Sequence, residues 1–243
     1  MVKYVYPDIM QTTQSGNVLF LILIAVALFA ALSYAVTETS RGGGMDISDK
    51  RAAVVADEIL IYMSSVEKVV QRALSRGISE GDLCFDYDEY PGAIADYEHA
   101  ACADPVNRIF GSAGGGVKWQ EPTSEALTGT GSGLWVFDGS NRVVEIGTDN
   151  AVASSADLVM FLFHVSDRVC RKINERAGVT AADAAPPRDD VTVTTTPYIG
   201  TFTDNSRISD TPGVLNRKQT ACFEGGGTPA GGTYHIYHVL HAR

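Results

Sequence analysis

The sequence predicts an α+β fold. A long N-terminal hydrophobic helix with a glycine break leads into an amphipathic helix packed on an antiparallel β-sheet head. Three observations carry this expectation. Val18–Val36 holds no charged residue, apolar residues return every three or four positions from Val55, and after Gly81 short β-branched and aromatic runs alternate with Gly-, Pro- and Asp-bearing turns.

The run Val18–Val36 is nineteen residues of Leu, Ile, Val, Ala, Phe, Ser and Tyr without Pro or Gly. As a helix it is roughly 28 Å long, about the thickness of a hydrocarbon core, and it satisfies its own backbone polar groups. The run is longer than the core of a signal peptide. Lys3 before it is cancelled by Asp8, and Tyr34-Ala35-Val36 is no small-x-small cleavage site. The small residues Ala25, Ala27, Ala31 and Ala35 permit close approach of a second helix, which predicts packing between core helices. Within 15–20 residues of the run, Lys3 stands against Arg41, Lys50 and Arg51. Read alone, that bias places the large domain inside the cell. The cysteines and the Gly/Thr/Ser-rich body point the other way, to an extracytoplasmic head.

Gly42, Gly43 and Gly44 predict a hinge over residues 42–45, since each glycine costs a helix about 1 kcal/mol. Asp46 or Ser48 then caps a second helix over residues 46–77, with Val55, Ile59, Tyr62, Val66, Val69 and Ala73 on one face and Gly77 as its stop. Residues 78–243 form the head. Leu134–Phe137 and Val143–Ile146 flank Asp138-Gly139-Ser140-Asn141 and predict a hairpin. The stretch from Ser155, with Leu158, Leu162, Val165, Val169 and Ile173, predicts a helix ending at Gly178. "VTVTTTPYIGTFT", "TACFEG" and "TYHIYHVL" predict strands, and residues 181–190 a loop.

The chain carries a net charge of −10, all of it after residue 36. That balance excludes nucleic acid as a partner, for which a basic stripe is expected. Four cysteines, Cys84, Cys102, Cys170 and Cys222, include no CxxC pair. Two disulfides in an oxidising compartment suit them, with Cys84–Cys102 and Cys170–Cys222 the favoured pairs. Spacing does not fix connectivity, and four buried thiols are the alternative.

Asp86, Asp88 and Glu89 lack EF-hand spacing and read as a solvated acidic loop. His235, His238 and His241 form HxxHxxH, but on a strand His238 faces away from the other two. "GSAGGGVK" lacks the GK[ST] ending of a phosphate loop, "GTGSG" precedes a strand instead of following one, and no GxSxG occurs. The reading is a non-enzyme without cofactor or metal.

The leader ending in Gly16, the uncharged helix, the amphipathic helix and the α+β head together resemble the type IV pilins and the pseudopilins of type II secretion. The resemblance covers about residues 16–76 as a pattern. It implies a leader of residues 1–16 cut between Gly16 and Asn17, and a segment of residues 17–41 that holds the subunit in the bacterial inner membrane. That segment later packs in a filament core with the heads outside, so the protein passes from inner membrane to extracellular filament or periplasm. The implied partners are further copies of the chain, the inner membrane before assembly, and the pilus assembly machinery. A disulfide near the C-terminus, as for Cys170–Cys222, also fits such heads. Leu21 stands where the family usually has Glu, and Asn17 where it usually has Phe. The expected function is a structural subunit of a pilus-like filament. The other class is a single-pass envelope protein whose exposed domain binds a ligand or partner.

Overall fold

The computed structural model describes residues 16–87, 97–128, 133–148, 155–190, 192–193, 195–203 and 206–243. Within residues 16–47 it describes the side chains of 20–31 and 33 alone. The chain divides into two compact units, Met1–Ser48 and Asp49–Arg243, and helix α1 (Gly16–Ser75) contributes to both.

In the first unit two expectations are corrected. No helix among the described residues is long and apolar enough to cross a membrane. Among the described side chains the apolar stretch of α1 is Phe20–Ala31, so the membrane-length helix expected over Val18–Val36 is not supported. The predicted break is also absent, because the backbone is helical through Gly42, Gly43 and Gly44 and starts no second helix at Asp46 or Ser48. Propagating an existing helix is cheap where starting one is costly, so residues on either side carry it across three weak positions.

In the second unit α1 buries Val55, Ile59, Tyr62, Val66, Val69 and Ala73, the predicted stripe, together with Ala56, Met63 and Val70. It ends where Gly77 turns to φ 92°, with the amide of Ile78 donating to the Ala73 carbonyl at 3.2 Å.

The sheet has five strands: β1 (Trp135–Val143), β2 (Asp157–Val165), β3 (Ser206–Ile208), β4 (Thr220–Glu224) and β5 (Tyr234–His241). Their order is β3-β1-β2-β5-β4. Neighbours are antiparallel except β1 and β3, which run parallel, so the sheet is mixed and not purely antiparallel. Helix α2 (Asp167–Arg176) follows β2 directly. The core between sheet and helices holds Trp135, Phe137, Met160, Leu162, Ile236 and Leu240 with the α1 stripe and Ile173 of α2. A smaller core on the opposite face gathers Val159, Phe161, Tyr237, Val239 and Leu215.

Three sequence-based assignments are corrected in the head. The expected hairpin at residues 134–146 is one strand, β1, with a bulge between Asp138 and Asn141. The buried Asp138 carboxylate accepts from the Ser140 and Asn141 amides, both at 3.0 Å, and from the Thr196 amide at 2.7 Å. The turn residues thus wrap a carboxylate instead of reversing the chain. The helix expected from Ser155 is β2 followed by α2, with Ser166, not Ser155, accepting from the Val169 amide at 3.4 Å. Strand β2 lies between β1 and β5 with a core on each face, so its continuous apolar run is that of a doubly buried strand. The strand expected over "VTVTTTPYIGTFT" is a loop where described, held to β1 by the Asp138–Pro197 bridge and by the Tyr198 and Thr203 amides, which donate to the Phe137 and Gly139 carbonyls at 3.0 and 2.9 Å.

Candidate assembly surface

The first candidate surface is the apolar stretch itself. Phe20, Leu21, Leu23, Val26, Leu28 and Phe29 are 59–73 % exposed. Ala25, Ala27 and Ala31 are exposed among them, and Ala27 and Ala31 are four residues apart on one helix face. Ala35 and the Asn17 side chain lie outside the described residues. So does the leader before Gly16, which is the first residue of α1. Isolated exposed apolar side chains are ordinary, but a contiguous run of this size marks an interaction surface.

The second candidate is a groove in the other unit. A cavity of about 600 Å³ is lined by Val55, Ile59, Tyr62, Trp135 and Pro122, with Glu58 and Glu121 at its edge. A further hollow of about 350 Å³ extends past Val54 to Lys50, Arg51 and Glu125. The groove is built by packing. The Trp135 indole Nε1 donates to the Gln120 carbonyl at 2.8 Å, and the Gln120 amide donates to the Tyr62 hydroxyl at 3.3 Å. These bonds clamp the segment around residue 120 over α1, and the Tyr62 and Trp135 rings meet 5.2 Å apart beneath it. Burial pushes the Tyr62 phenol up, so it stays neutral. Beside the groove Val54 and Ile61 are exposed, Ile61 to 70 %.

Two disulfides brace the head. Cys84–Cys102 closes an 18-residue separation, and Cys170–Cys222 ties α2 to β4 across 52. These are the pairs favoured from the sequence. Asn174 reinforces the second, donating to the Cys222 carbonyl and accepting from its amide, both at 2.8 Å. His99 lies within 4.8 Å of the Cys84 and Cys102 sulfurs, but both sulfurs are already bonded to each other. Asp86 of the acidic loop sits 3.9 Å from Arg108, whereas Asp88 and Glu89 lie outside the described residues, as does most of "GTGSG". In "GSAGGGVK", Gly115 packs against α1 so closely that an added Cβ meets the Ile109 carbonyl and Val69 at 2.2 Å.

The three histidines of HxxHxxH take three separate tasks. His235 is buried against Phe163, Phe223 and His164. Its Nδ1 accepts from the His164 amide at 3.3 Å, which leaves Nε2–H to donate to Thr233 Oγ1 at 2.7 Å. Burial and the nearby His164 lower it to about 3, so it is neutral. His238 faces α1, between Glu67 Oε2 at 3.1 Å and Thr220 Oγ1 at 2.5 Å. Its hydrogen bond holds the Glu67 carboxyl below the usual range. His241 and Arg243 hold Glu80 at 2.9 and 2.8 Å. Burial pushes Glu80 up, but these bonds and charges outweigh it and leave the carboxyl low. The Thr220–His238–Glu67 chain has the connectivity of a nucleophilic triad, but neither cavity is lined by it. Its position fits a clamp between helix and sheet. Sequence reasoning missed it, because Glu67 and His238 are 171 positions apart.

No family model, curated protein or solved structure matches this chain.

Proposed function

We propose that the chain is a structural subunit that assembles with copies of itself into a pilus-like filament. In this reading the Phe20–Ala31 stretch packs against other copies and the disulfide-braced head lies outside. The observation that carries it is the exposed, uncharged run at Phe20–Phe29 on a helix whose other half is packed into a folded head. At about 25 cal/mol per Å², covering a few hundred Å² of apolar surface supplies several kcal/mol toward association. Ala27 and Ala31 let two such helices approach closely. The two disulfides favour an oxidising, extracytoplasmic setting. Removal of residues 1–16, with the mature chain beginning at Asn17, belongs to the same proposal. It is tested by shearing native cells, pelleting the filaments and determining the intact mass of their subunit. A filament subunit beginning at Asn17 is the expected result. Recovery of the chain only outside the pelleted material overturns the reading.

A further inference from the structure

We propose that the head, when reduced, holds a thiolate-binding divalent cation such as zinc on Cys84, Cys102 and His99. The proposal stands apart from the self-assembly reading, which rests on the Phe20–Ala31 stretch. Among the described residues these three form the single group of three or more Cys, His, Asp or Glu side chains whose ligand atoms all lie within 4.8 Å of one another. Tetrahedral zinc, about 2.3 Å from sulfur and about 2.0 Å from nitrogen, keeps its ligands roughly 3.5–3.8 Å apart. The Cys84 and Cys102 Cα atoms are 5.3 Å apart, so side-chain rotation brings two free thiolates to that spacing.

The backbone presents these residues independently of the bond between the sulfurs. The Cys84 amide donates to the Asn107 carbonyl at 3.0 Å, and the Cys84 carbonyl accepts from the Ile109 amide at 2.9 Å. Cys102 lies in a 3-10 turn, Ala100–Ala103, that follows His99, and its amide donates to the His99 carbonyl at 2.9 Å. Residues three apart in such a turn share a side, which brings together the first and last residues of "HAAC". The turn is anchored in its place, with Arg108 Nε donating to the Cys102 carbonyl at 3.0 Å and Asn107 Nδ2 to the Ala101 carbonyl at 2.9 Å. His99 Nε2 pairs with the Leu83 carbonyl at 3.1 Å. A carbonyl only accepts, so Nε2 carries the proton and the neutral ring keeps its lone pair on Nδ1. Metal-binding imidazoles are held in this way by a carbonyl on the other nitrogen.

Charge allows the exchange as well. Cys84 and Cys102 are buried, where a bare pair of thiolates is costly. Metal binding adds no net charge, because two thiol protons leave as one divalent cation enters. The chemistry runs in two balanced steps. A two-electron reductant, a dithiol, delivers two electrons and two protons to the Sγ–Sγ bond and becomes a disulfide itself. The cation then binds both sulfurs and releases the two protons to solvent. A disulfide oxidant reverses the sequence and expels the cation. The cation therefore holds this corner of the head in a reducing compartment, and the disulfide replaces it in an oxidising one. Cys170 and Cys222 have no third ligand of this kind among the described residues.

The test reduces the full chain under anaerobic conditions with a phosphine, which takes up oxygen from water and does not compete as a thiol. The chain is then titrated with Co²⁺ alone, and circular dichroism is recorded before and after. The expected result is one Co²⁺ per reduced, folded chain, with thiolate-to-cobalt charge transfer and the visible bands of tetrahedral cobalt, displaced by Zn²⁺. The oxidised chain should show neither band. Cys84→Ala should abolish the bands, His99→Ala should weaken binding by at least ~10-fold, and Cys170→Ala with Cys222→Ala should leave it unchanged. A reduced chain that shows no cobalt bands, folded or not, overturns the proposal. So do bands that survive Cys84→Ala or binding that His99→Ala does not move. None of these outcomes bears on filament formation.

Discussion

His235 shows how a single residue sets a measurable property of the head. It is neutral in the fold, lowered to about 3 by burial and by His164. The unfolded chain takes up a proton below about pH 6.5 that the folded chain refuses. A depressed folded pKa contributes stability that is present above the unfolded value and lost as pH falls through the folded one. Between about pH 6 and 4 this residue alone should remove about 1.4 kcal/mol per pH unit. Urea unfolding across that range checks it: His235→Phe should flatten the slope, and an unchanged slope would show that other groups carry it. Gly115 makes a second residue-scale case. Its missing Cβ leaves room for the Ile109 carbonyl and Val69, so Gly115→Ala should cost about 1–3 kcal/mol, read as a lower melting temperature. The motif rules could find neither role. HxxHxxH was set aside as a metal site from its spacing, and nothing local marks His235 as buried or His238 as the partner of Glu67.

At the scale of elements, the amphipathic half of α1 was legible because its six stripe residues obey a single period and all of them are buried. Met63, fully buried on the same face, extends that stripe. Met63→Ala should cost about 2–5 kcal/mol, and chemical denaturation measures it directly. Strands β4 and β5 were legible for the same reason, each a short run bounded by turn residues. Strand β2 was not. A strand covered on both faces loses its alternation, and Leu158, Leu162 and Val165 then also fit a helical spacing. The glycine triplet misled in the opposite direction, since local cost was weighed without the cooperativity of a long helix. The hairpin failed because Asp138 spends its turn chemistry on buried amides and forms a bulge. The disulfide between α2 and β4 joins a helix whose start was misread from sequence to a strand that was legible, and the pairing itself was the favoured one. Replacing Cys170 and Cys222 with alanine should lower stability by about 4 kcal/mol by loop entropy, with the fold retained in circular dichroism.

At the scale of the whole molecule, α1 carries two different tasks along its length. The stretch in the first unit is exposed and uncharged, and the half in the second unit is the spine of a disulfide-braced head. No helix among the described residues is long and apolar enough to cross a membrane, so the membrane-length helix expected from composition is not supported. Ala31→Leu adds bulk on the face shared with Ala27 and leaves the head untouched, so it should weaken assembly while the melting temperature stays within about 1 °C. The most direct test of self-association is sedimentation velocity of the full chain in detergent-free buffer beside Leu28→Lys, which puts a charge in the middle of the exposed run. The account predicts large assemblies for the unaltered chain and a single monomeric boundary for Leu28→Lys. An unaltered chain that sediments as a monomer across the accessible concentration range would contradict it.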